Sequence, residues 1–336
     1  MPGERHCTLV SQRGEPLALP AVRQLNGQSG FVIAPFAIDE HHPLLVFGAD
    51  AVHRCLPREV MAIDGLACHL EAEGLPIMPA DREVYHSDFS RFHRTFSAIG
   101  MHKLVLARCA DVTHGGGINA AALFALACER YPESFVALFS ARQCGTWLMA
   151  TPEILLSCRG DRWHTMALAG TMACDATVRQ PSWSEKNMEE QALVARYIKT
   201  CLDDYSDDVV MTGPYTSRAG HLVHLRTDFS FSLTGSAVVG EVLESLHPTP
   251  AVCGVPKHQA LRFILENESI DRSYYSGFSG PLNLDGDTSM FVSLRCMRIL
   301  EDRYRLYAGG GILPQSEESM EWDETAAKMQ SMLSII

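Results

Sequence analysis

The order of strand-like and helix-like segments constrains the fold of this chain more than any single motif does. Apolar runs that are typical of strands recur at irregular intervals, and two of them, 135–140 and 146–149, are close enough to pair as a hairpin. Helix-like segments, such as 119–130 and 256–267, do not alternate regularly with the strands. A doubly wound parallel sheet requires that alternation, so the order predicts an α+β fold with mainly antiparallel sheet.

Further strand-like runs occupy 30–38, 44–47, 103–108 and 290–299, and a further helix-like run occupies 321–333. A chain of 336 residues can bury a sizeable core as one large domain or two ordinary ones. The first 79 residues are the least patterned part. We therefore predict one compact domain, in which residues 1–85 form an N-terminal subdomain that completes the sheet and residues 86–336 form the catalytic core.

Composition indicates a globular protein, since 46% of the residues are hydrophobic and 20% are charged. The net charge of -12, without a basic stripe, argues against a nucleic-acid partner. Eleven cysteines without a C-x-x-C pair are typical of reduced thiols in a cytosolic protein. The N-terminus lacks the apolar core of a signal peptide, and the longest apolar run, 31–38, contains Pro35 and is too short to span a bilayer. We therefore predict a cytoplasmic protein with no membrane partner.

Two segments near the C-terminus carry candidate ligand groups. Residues 309–312 (GGGI) have the composition of a glycine turn, whose backbone N–H groups can hold an anion. Glu321 and Glu324 are three residues apart, so on a helix they face the same side, as a hard divalent cation requires. The alternative is a solvated acidic face in a first helical turn, which suits the helix dipole.

Two charged residues fall in strongly apolar strand-like runs. Period-two alternation puts Lys103 on the same face as Val105, where loss of hydration favours a neutral amine that can act as a base. Glu153 shares a face with Leu155, and a carboxyl in such surroundings can stay protonated near neutral pH and act as an acid. The alternative for both is an ordinary charged residue at the end or edge of a strand.

A long helix is predicted after residue 184, because Ser182 and Glu185 have the spacing of a capping box and an apolar stripe follows them. Glu189 and Glu190 each precede a residue of that stripe by four positions. Periodicity therefore does not choose between these two carboxylates as the one that faces inward.

Arg295 and His247 are further candidates. Alternation puts Arg295 on the face of Phe291 and Met297, and an arginine on the covered side of a sheet usually meets a carboxylate of the protein or of a ligand. His247 lies in 247–250 (HPTP), where the prolines stiffen the backbone. It is either a structural histidine or a catalytic one.

Seven segments occur in the order of the chorismate-utilising enzymes. They are 103–108 (KLVLAR), 151–156 (TPEILL), 167–171 (ALAGT), 186–194, 247–251 (HPTPA), 309–312 (GGGI) and 321–325 (EWDET). From about residue 86 to its end the chain resembles this family, which includes isochorismate synthases, salicylate synthases, anthranilate synthase component I and aminodeoxychorismate synthase component I. The resemblance implies a single chorismate-binding domain of two packed, mainly antiparallel sheets flanked by helices.

The resemblance also implies a cofactor and its ligands. The family binds Mg²⁺ near the ring carboxylate of chorismate, and Glu190 and Glu321 match its metal ligands, with Glu324 as a closer or water-mediated helper. The positions that match substrate contacts are Gly170, Thr171, His247, Tyr275, Arg295, Gly309 and Gly311. Two positions depart from the family pattern, since Gly310 replaces an alanine and Gln191 replaces a histidine.

Lys103 and Glu153 match the residues that decide the chemistry in this family. The resemblance implies that Lys103 activates water for attack on ring C2 and that Glu153 protonates the departing C4 hydroxyl. Ala169, before the glycine of ALAGT, also resembles the isochorismate type. We therefore predict a Mg²⁺-dependent isochorismate synthase, an isomerase that acts on chorismate and feeds menaquinone synthesis.

Two alternatives stay open. A salicylate synthase would add elimination of pyruvate after the isomerisation, and the motifs barely separate it from an isochorismate synthase. A component I-type subunit would act only with a glutamine amidotransferase. An enzyme that uses water needs no such partner, so we expect none.

Overall fold

A computed structural model describes residues 1–63, 68–70, 75–98, 100–173, 181–219, 222–233, 238–284 and 286–336 of the protein. Every strand pairing within these ranges is antiparallel, which confirms the α+β fold predicted from the order of the elements. The same ranges contain no helix that is both long and apolar enough to cross a membrane.

The strands are β1 (Cys7–Ser11), β2 (Leu17–Leu19), β3 (Gly30–Ala34), β4 (Leu44–Phe47), β5 (Ala51–Cys55), β6 (Lys103–Thr113), β7 (Phe135–Ala141), β8 (Gly145–Thr151), β9 (Ile154–Arg159), β10 (Arg162–Ala173), β11 (Val210–Ala219), β12 (Leu222–Phe231), β13 (Gly254–Val255), β14 (Phe278–Leu282), β15 (Thr288–Val292), β16 (Cys296–Ile299) and β17 (Arg303–Ile312). The helices are α1 (Arg82–Ala98), α2 (Ala120–Arg130), α3 (Glu185–Asp203), α4 (Val239–Leu246), α5 (Lys257–Asn267) and α6 (Glu318–Leu333). Short 3-10 helices occupy Val22–Leu25 and Pro57–Ala62.

Two large sheets organise these strands. The nine-stranded sheet has the order β11-β12-β10-β9-β15-β14-β3-β4-β2, and the six-stranded sheet has the order β13-β6-β17-β16-β8-β7. The predicted hairpin is confirmed as β7 and β8, in which Phe135 lies opposite Thr151. Strands of the N-terminal region join the larger sheet through the pairing of β3 with β14. The subdomain boundary at residue 85 falls inside α1 and stays a prediction.

The two large sheets pack face to face through aromatic side chains. Phe135 of the six-stranded sheet stacks on Phe291 of the nine-stranded sheet, with 4.2 Å between the ring centroids. Trp147 and Tyr307 belong to the same buried cluster. Large rings bury much apolar area at the interface between the sheets, so this cluster holds the two sheets together beside the site described below.

Helices cover the outer faces of the sheets. Val194 of α3 and Leu243 of α4 are buried against the nine-stranded sheet. Phe124 of α2 and Met329 of α6 are buried against the six-stranded sheet. Each helix thus hides an apolar stripe on a sheet face. The order of layers is helix, sheet, sheet, helix, as the family resemblance implies.

The glycine segment is not a turn, contrary to the prediction. Gly309, Gly310 and Gly311 lie inside β17, where they pair with β6 opposite residues 107 to 105. Their glycine identity has another cause, because carboxylate and tyrosine side chains approach this strand closely. Composition alone does not distinguish a glycine needed for a turn from one needed for close packing.

The strand predicted over 290–299 is also interrupted. The chain leaves the nine-stranded sheet at the end of β15 and enters the six-stranded sheet at the start of β16. Arg295 lies in the connection with a φ of 45°, so it is not a sheet side chain. Alternation in an apolar run carries no sign of such a crossing between sheets.

Helix starts are partly as predicted. Asn119 caps α2 as expected, since its side chain accepts a hydrogen bond from the N–H of Ala122 at 3.0 Å. Ser184, and not Ser182, caps α3 by accepting from the N–H of Asn187. The strand predicted over 30–38 ends at Ala34, because a proline follows and cannot donate to a strand ladder.

Candidate active site

A cleft opens between the two large sheets. The predicted site residues that line it are Glu153, Gly170, Thr171, Glu190, Tyr275, Arg295, Gly309 and Gly311. Among the described residues, the other predicted ones do not line it: Lys103, His247, Glu321 and Glu324. The fold therefore gathers most of the predicted set from β10, α3, β17 and the connections between strands.

Glu153 lies between β8 and β9, one residue before the strand that it was predicted to open. Its side chain is buried, and its backbone N–H donates to the Thr151 hydroxyl. Burial raises the pKa of Glu153 to about 8, against the opposing effect of the Lys103, Arg295 and Lys328 charges. The carboxyl is therefore protonated near neutral pH and can donate a proton.

Glu190 projects into the cleft from α3. Its Oε1 lies 2.9 Å from the Nζ of Lys103, which is fully buried. Burial tends to raise the pKa of Glu190, but the charges of Lys103, Lys186 and Lys328 lower it below the ordinary value. Glu190 is thus a buried anion. Glu189 points away, because its carboxylate accepts a hydrogen bond from Gln315 at the surface.

Arg295 is held by a histidine that the sequence analysis did not single out. An Nη of Arg295 lies 3.0 Å from Nε2 of His224, and Nδ1 of His224 lies 3.0 Å from the Thr171 hydroxyl. Burial, and then the charges of Arg295 and Lys328, lower the pKa of His224 well below its ordinary value. His224 is therefore neutral, so Nε2 accepts from Arg295 and Nδ1 donates to Thr171.

Arg295 is a half-buried cation that has no ion-pair partner among the described residues. Within the described ranges no carboxylate lies within ion-pairing distance of its guanidinium, which otherwise reaches only the Ser331 hydroxyl at 3.5 Å. Burial lowers the pKa of Arg295. Because a guanidinium partly removed from water is costly without an anion, this position suits an anionic ligand.

A second cation at the cleft is Lys328 of α6. Its Nζ donates to the backbone carbonyl of Gly309 and to Glu324, each at 2.8 Å. Glu324 is therefore held by Lys328 and does not reach the cleft. The Tyr275 ring stacks on that of Tyr307 beside the same strand. The cleft as a whole combines two cations, one anion and one protonated acid.

Comparison with known proteins identifies the family. Residues 73–336 match the family of chorismate binding enzymes. The chain belongs to the chorismate binding enzyme family. It is 31% identical over 246 residues to the isochorismate synthase EntC of Escherichia coli K12, a match that covers 69% of this chain and 62% of EntC. The matched region thus spans less than two thirds of that relative.

Other relatives agree with this assignment. The isochorismate synthase MenF of Escherichia coli K12 is 30% identical over 250 residues, which is 72% of this chain and 58% of MenF. Among solved structures, DhbC from Bacillus anthracis has a TM-score of 0.81 at 23% identity and covers 98% of this chain and 94% of its own. The menaquinone-specific MenF from Escherichia coli has a TM-score of 0.77 at 24% identity, with 98% and 86% covered. These two structures show that the whole fold is shared.

The glycine strand of this chorismate binding enzyme is required by its neighbours. A Cβ on Gly311 would overlap the Glu190 carboxylate, and a Cβ on Gly309 would lie 2.9 Å from the Tyr275 hydroxyl. A Cβ on Gly310 would lie 3.1 Å from Oε2 of Glu321. Successive glycines therefore make room for side chains on both faces of β17.

Glu321 of α6 is almost completely buried and pairs through Oε1 with the Lys186 ammonium. Its Oε2 is buried without a hydrogen-bond partner in the part of the chain that the structure describes. Burial raises the pKa of Glu321, while Lys186 acts in the opposite direction. An unsatisfied buried carboxylate oxygen is costly in a folded protein unless a further cation or donor is added.

These carboxylates fit the Mg²⁺ that a chorismate binding enzyme implies. Glu190 is a buried anion, and one carboxylate oxygen of Glu321 has no hydrogen-bond partner among the described residues. Hard oxygen ligands suit Mg²⁺, which usually takes one or two carboxylates and keeps several waters. Within the described residues no cluster of three or more His, Cys, Asp or Glu side chains has the geometry of a metal site. Water or substrate would complete the coordination.

His247 does not line the cleft, and its contact with the substrate ring stays a prediction. Its Nε2 lies 3.1 Å and 3.2 Å from the backbone carbonyl oxygens of Pro35 and Phe36. Its ring packs edge-on against Phe278. Burial lowers the pKa of His247 to about 3, so it is a neutral histidine that ties two loops together.

His224 and Lys328 are the cleft residues that the sequence analysis missed. His224 lies in the apolar run 222–225, and a polar residue in such a run is the signal that could have found it. Lys328 follows Glu324 by four positions, which puts both on one face of α6. Neither pattern is specific without the long-range contacts.

Proposed function

We propose that this chain is an isochorismate synthase that converts chorismate to isochorismate with the help of Mg²⁺. The observation that carries the proposal is a protonated Glu153 that lines the same cleft as Arg295 and lies close enough to Lys103 for the lysine charge to lower its pKa. The reaction needs an acid on one side of the substrate ring and a base on the other.

The residues of the chain suggest a division of labour. We propose that Arg295 and Tyr275 bind one carboxylate of chorismate, since an anion is what Arg295 lacks. His224 keeps Arg295 in position, because Thr171 fixes its ring orientation. The second carboxylate would contact the backbone at Gly170 and along Gly309–Gly311.

The chemical step is a displacement with allylic shift. Lys103 acts here as the neutral amine, which takes a proton from water as the oxygen attacks ring C2, and Glu153 gives its proton to the C4 hydroxyl, which leaves as water. One water enters and one leaves, so atoms and charge balance. Glu190 and Glu321 would hold Mg²⁺, with Glu324 nearby, and the metal when bound supplies positive charge to orient and neutralise the ring carboxylate.

The pathway is a separate part of the proposal. We propose that the product feeds menaquinone synthesis, in line with the relative MenF. EntC is similar to this chain at nearly the same identity, so sequence identity does not assign the pathway and a genetic measurement is needed. Expression in a bacterium that lacks its menaquinone-linked isochorismate synthase should restore menaquinone, measured by extraction and chromatography. Restoration of a catechol siderophore alone would contradict the menaquinone assignment.

The activity itself is tested with purified protein, chorismate and Mg²⁺, with separation of products and a parallel assay for pyruvate. Isochorismate without pyruvate is the expected result. Salicylate with an equal amount of pyruvate would instead identify a salicylate synthase. Turnover that needs ammonia or a glutaminase would overturn the role of water.

Two variants test the role of Lys103 in the reaction. Lys103→Ala should abolish isochorismate formation, while Lys199→Ala should not. Lys199 is a matched control because it lies on α3, pairs with Asp203 one turn away and is partly exposed. Near-normal turnover by Lys103→Ala would rule out the proposed role of Lys103 as the base.

A further inference from the structure

Three carboxylates around the proposed metal site are each paired with a different lysine. Glu190 pairs with Lys103, Glu324 pairs with Lys328, and Glu321 pairs with Lys186. Three negative charges are thus balanced by three positive ones. A divalent cation that enters such a compensated cluster must displace at least one ammonium group, since a carboxylate oxygen cannot serve both at full strength.

Lys186 differs from the other two lysines. Lys328 also holds the backbone of Gly309, and Lys103 is completely buried. Lys186 has 21% of its side chain exposed, whereas Glu321 has 1%. A long flexible side chain that already reaches the surface can move into water, where an ammonium group is well hydrated. The buried Glu321 cannot follow it.

Lys186 connects the two helices that carry the carboxylates, because its ammonium group pairs with Glu321 of α6. Lys186 and Glu190 are four residues apart on α3, so they share one face of the helix. Glu321 and Glu324 come from α6, which brings two helices to one positive charge.

The helix itself does not explain a lysine at this position. Lys186 is the second residue of α3, in the first turn, where the helix dipole disfavours a positive charge. Its contact with Glu321 supplies the compensation. The lysine therefore belongs to the carboxylate cluster more than to the helix.

We infer that Lys186 is an internal substitute for the divalent cation, which neutralises Glu321 in the metal-free protein and is displaced when the metal binds. The inference rests on the proposed function, because it takes Glu190 and Glu321 as the metal ligands. Displacement sets the affinity of the site for the metal. It also keeps the metal-free protein folded with its carboxylates compensated.

The test is the affinity of metal-free protein for Mg²⁺, measured by isothermal titration calorimetry without chorismate. Lys186→Met should bind Mg²⁺ about tenfold more tightly than the wild type, because no buried ion pair has to be broken. Lys186→Arg should bind it more weakly, since a guanidinium can hold the Glu321 carboxylate through two hydrogen bonds. Lys199→Met is the matched control on α3 and should leave the affinity unchanged.

A second measurement does not use the metal affinity. The melting temperature of metal-free Lys186→Met should lie below that of Lys199→Met, because Glu321 is left buried and uncompensated. Saturating Mg²⁺ should remove most of that difference. If Lys186→Met does not fold, the comparison of Lys186→Arg with the wild type still carries the test.

The outcomes separate the inference from the proposed function. If the wild type binds Mg²⁺ but Lys186→Met binds it no more tightly and Lys186→Arg no more weakly, the inference about Lys186 is wrong and the metal site stands. If Glu321→Gln binds Mg²⁺ as well as the wild type does, the assignment of Glu321 as a ligand is wrong, and the inference fails with it.

Discussion

Two buried carboxyl groups face the same cleft from different walls and differ in their state of charge. Glu190, on the α3 wall, has a pKa below the ordinary value, although burial acts in the other direction. Glu153, on the wall between β8 and β9, has its pKa raised to about 8 by burial. Burial is similar, with 9% and 3% of the residue exposed. The difference is the Lys103 ammonium at 2.9 Å from Glu190, so a cation in direct contact decides which carboxyl is the anion and which is the acid.

Two arginines, Arg272, which is buried, and Arg295, which is half-buried, show a similar contrast. Arg272 pairs with Glu268 and donates to the backbone carbonyl of Val105, so its charge is satisfied within the fold. Arg295 has His224 as its nearest partner and no carboxylate in the described ranges. The first arginine holds the structure together, and the second is available to an anionic ligand.

The largest expected effect comes from a substitution of Glu153, the protonated member of the two contrasting carboxyl groups. Glu153→Gln keeps the shape of the side chain but removes the proton donor, so kcat should fall by about 10²–10⁴-fold. The affinity for chorismate, measured by titration calorimetry with Mg²⁺ present, should stay within a few-fold of the wild type. Glu189→Gln, which alters an exposed carboxylate, is the control and should keep its activity. Loss of chorismate binding in Glu153→Gln would instead indicate a structural role.

The next prediction separates the two arginines. Arg295→Met should raise KM for chorismate by about 100-fold, the equivalent of a lost charge-assisted hydrogen bond, and should leave the protein at least as stable as before. Arg272→Met should lower the free energy of unfolding by about 3–5 kcal/mol, because it leaves Glu268 buried without its partner. Steady-state kinetics measure KM, and urea denaturation measures the free energy of unfolding of both variants. Equal losses of stability would contradict the contrast.

A smaller effect is expected from the glycine strand. Gly311→Ala would push a methyl group into the Glu190 carboxylate, so the affinity for Mg²⁺ should fall by about tenfold. Gly115→Ala is the control, because nothing lies within 4 Å of a Cβ at that position. Calorimetric titration of both variants with Mg²⁺ provides the measurement. Unchanged affinity in Gly311→Ala would show that Glu190 is free to move without loss.

The last prediction is a pH dependence that belongs to Glu153. Its pKa in the folded protein, about 8, lies above the ordinary 4.5, so the stability contributed by its neutral form is complete below about pH 4.5 and is lost as pH rises through about 8. Between about pH 5 and about pH 9, the wild type should lose about 4 kcal/mol relative to Glu153→Gln. Activity should fall over the same alkaline limb, because the acid is then ionised. Urea denaturation at both pH values checks the sign, and a parallel response of the two proteins would rule out a raised pKa.

The sequence predicted much of the fold because its signals are local. The hairpin of β7 and β8, the cap at Asn119 and the irregular order of elements are all properties of neighbouring residues. The break at Arg295 was not predicted, since a chain that crosses between sheets keeps the same apolar composition on both sides. The glycines of β17 were misread for a similar reason, because their close neighbours come from α3 and α6.

By itself, the sequence determined the class of fold, the family and the kinds of chemical group that the site uses. Tertiary structure decided which of those groups meet. It selected Glu190 over Glu189 and put His224 at the cleft in place of His247. Thr171 and His224 lie opposite each other in β10 and β12, a pairing set by the register of strands far apart in the chain. Such contacts depend on how distant segments pack, which no local pattern of side chains encodes.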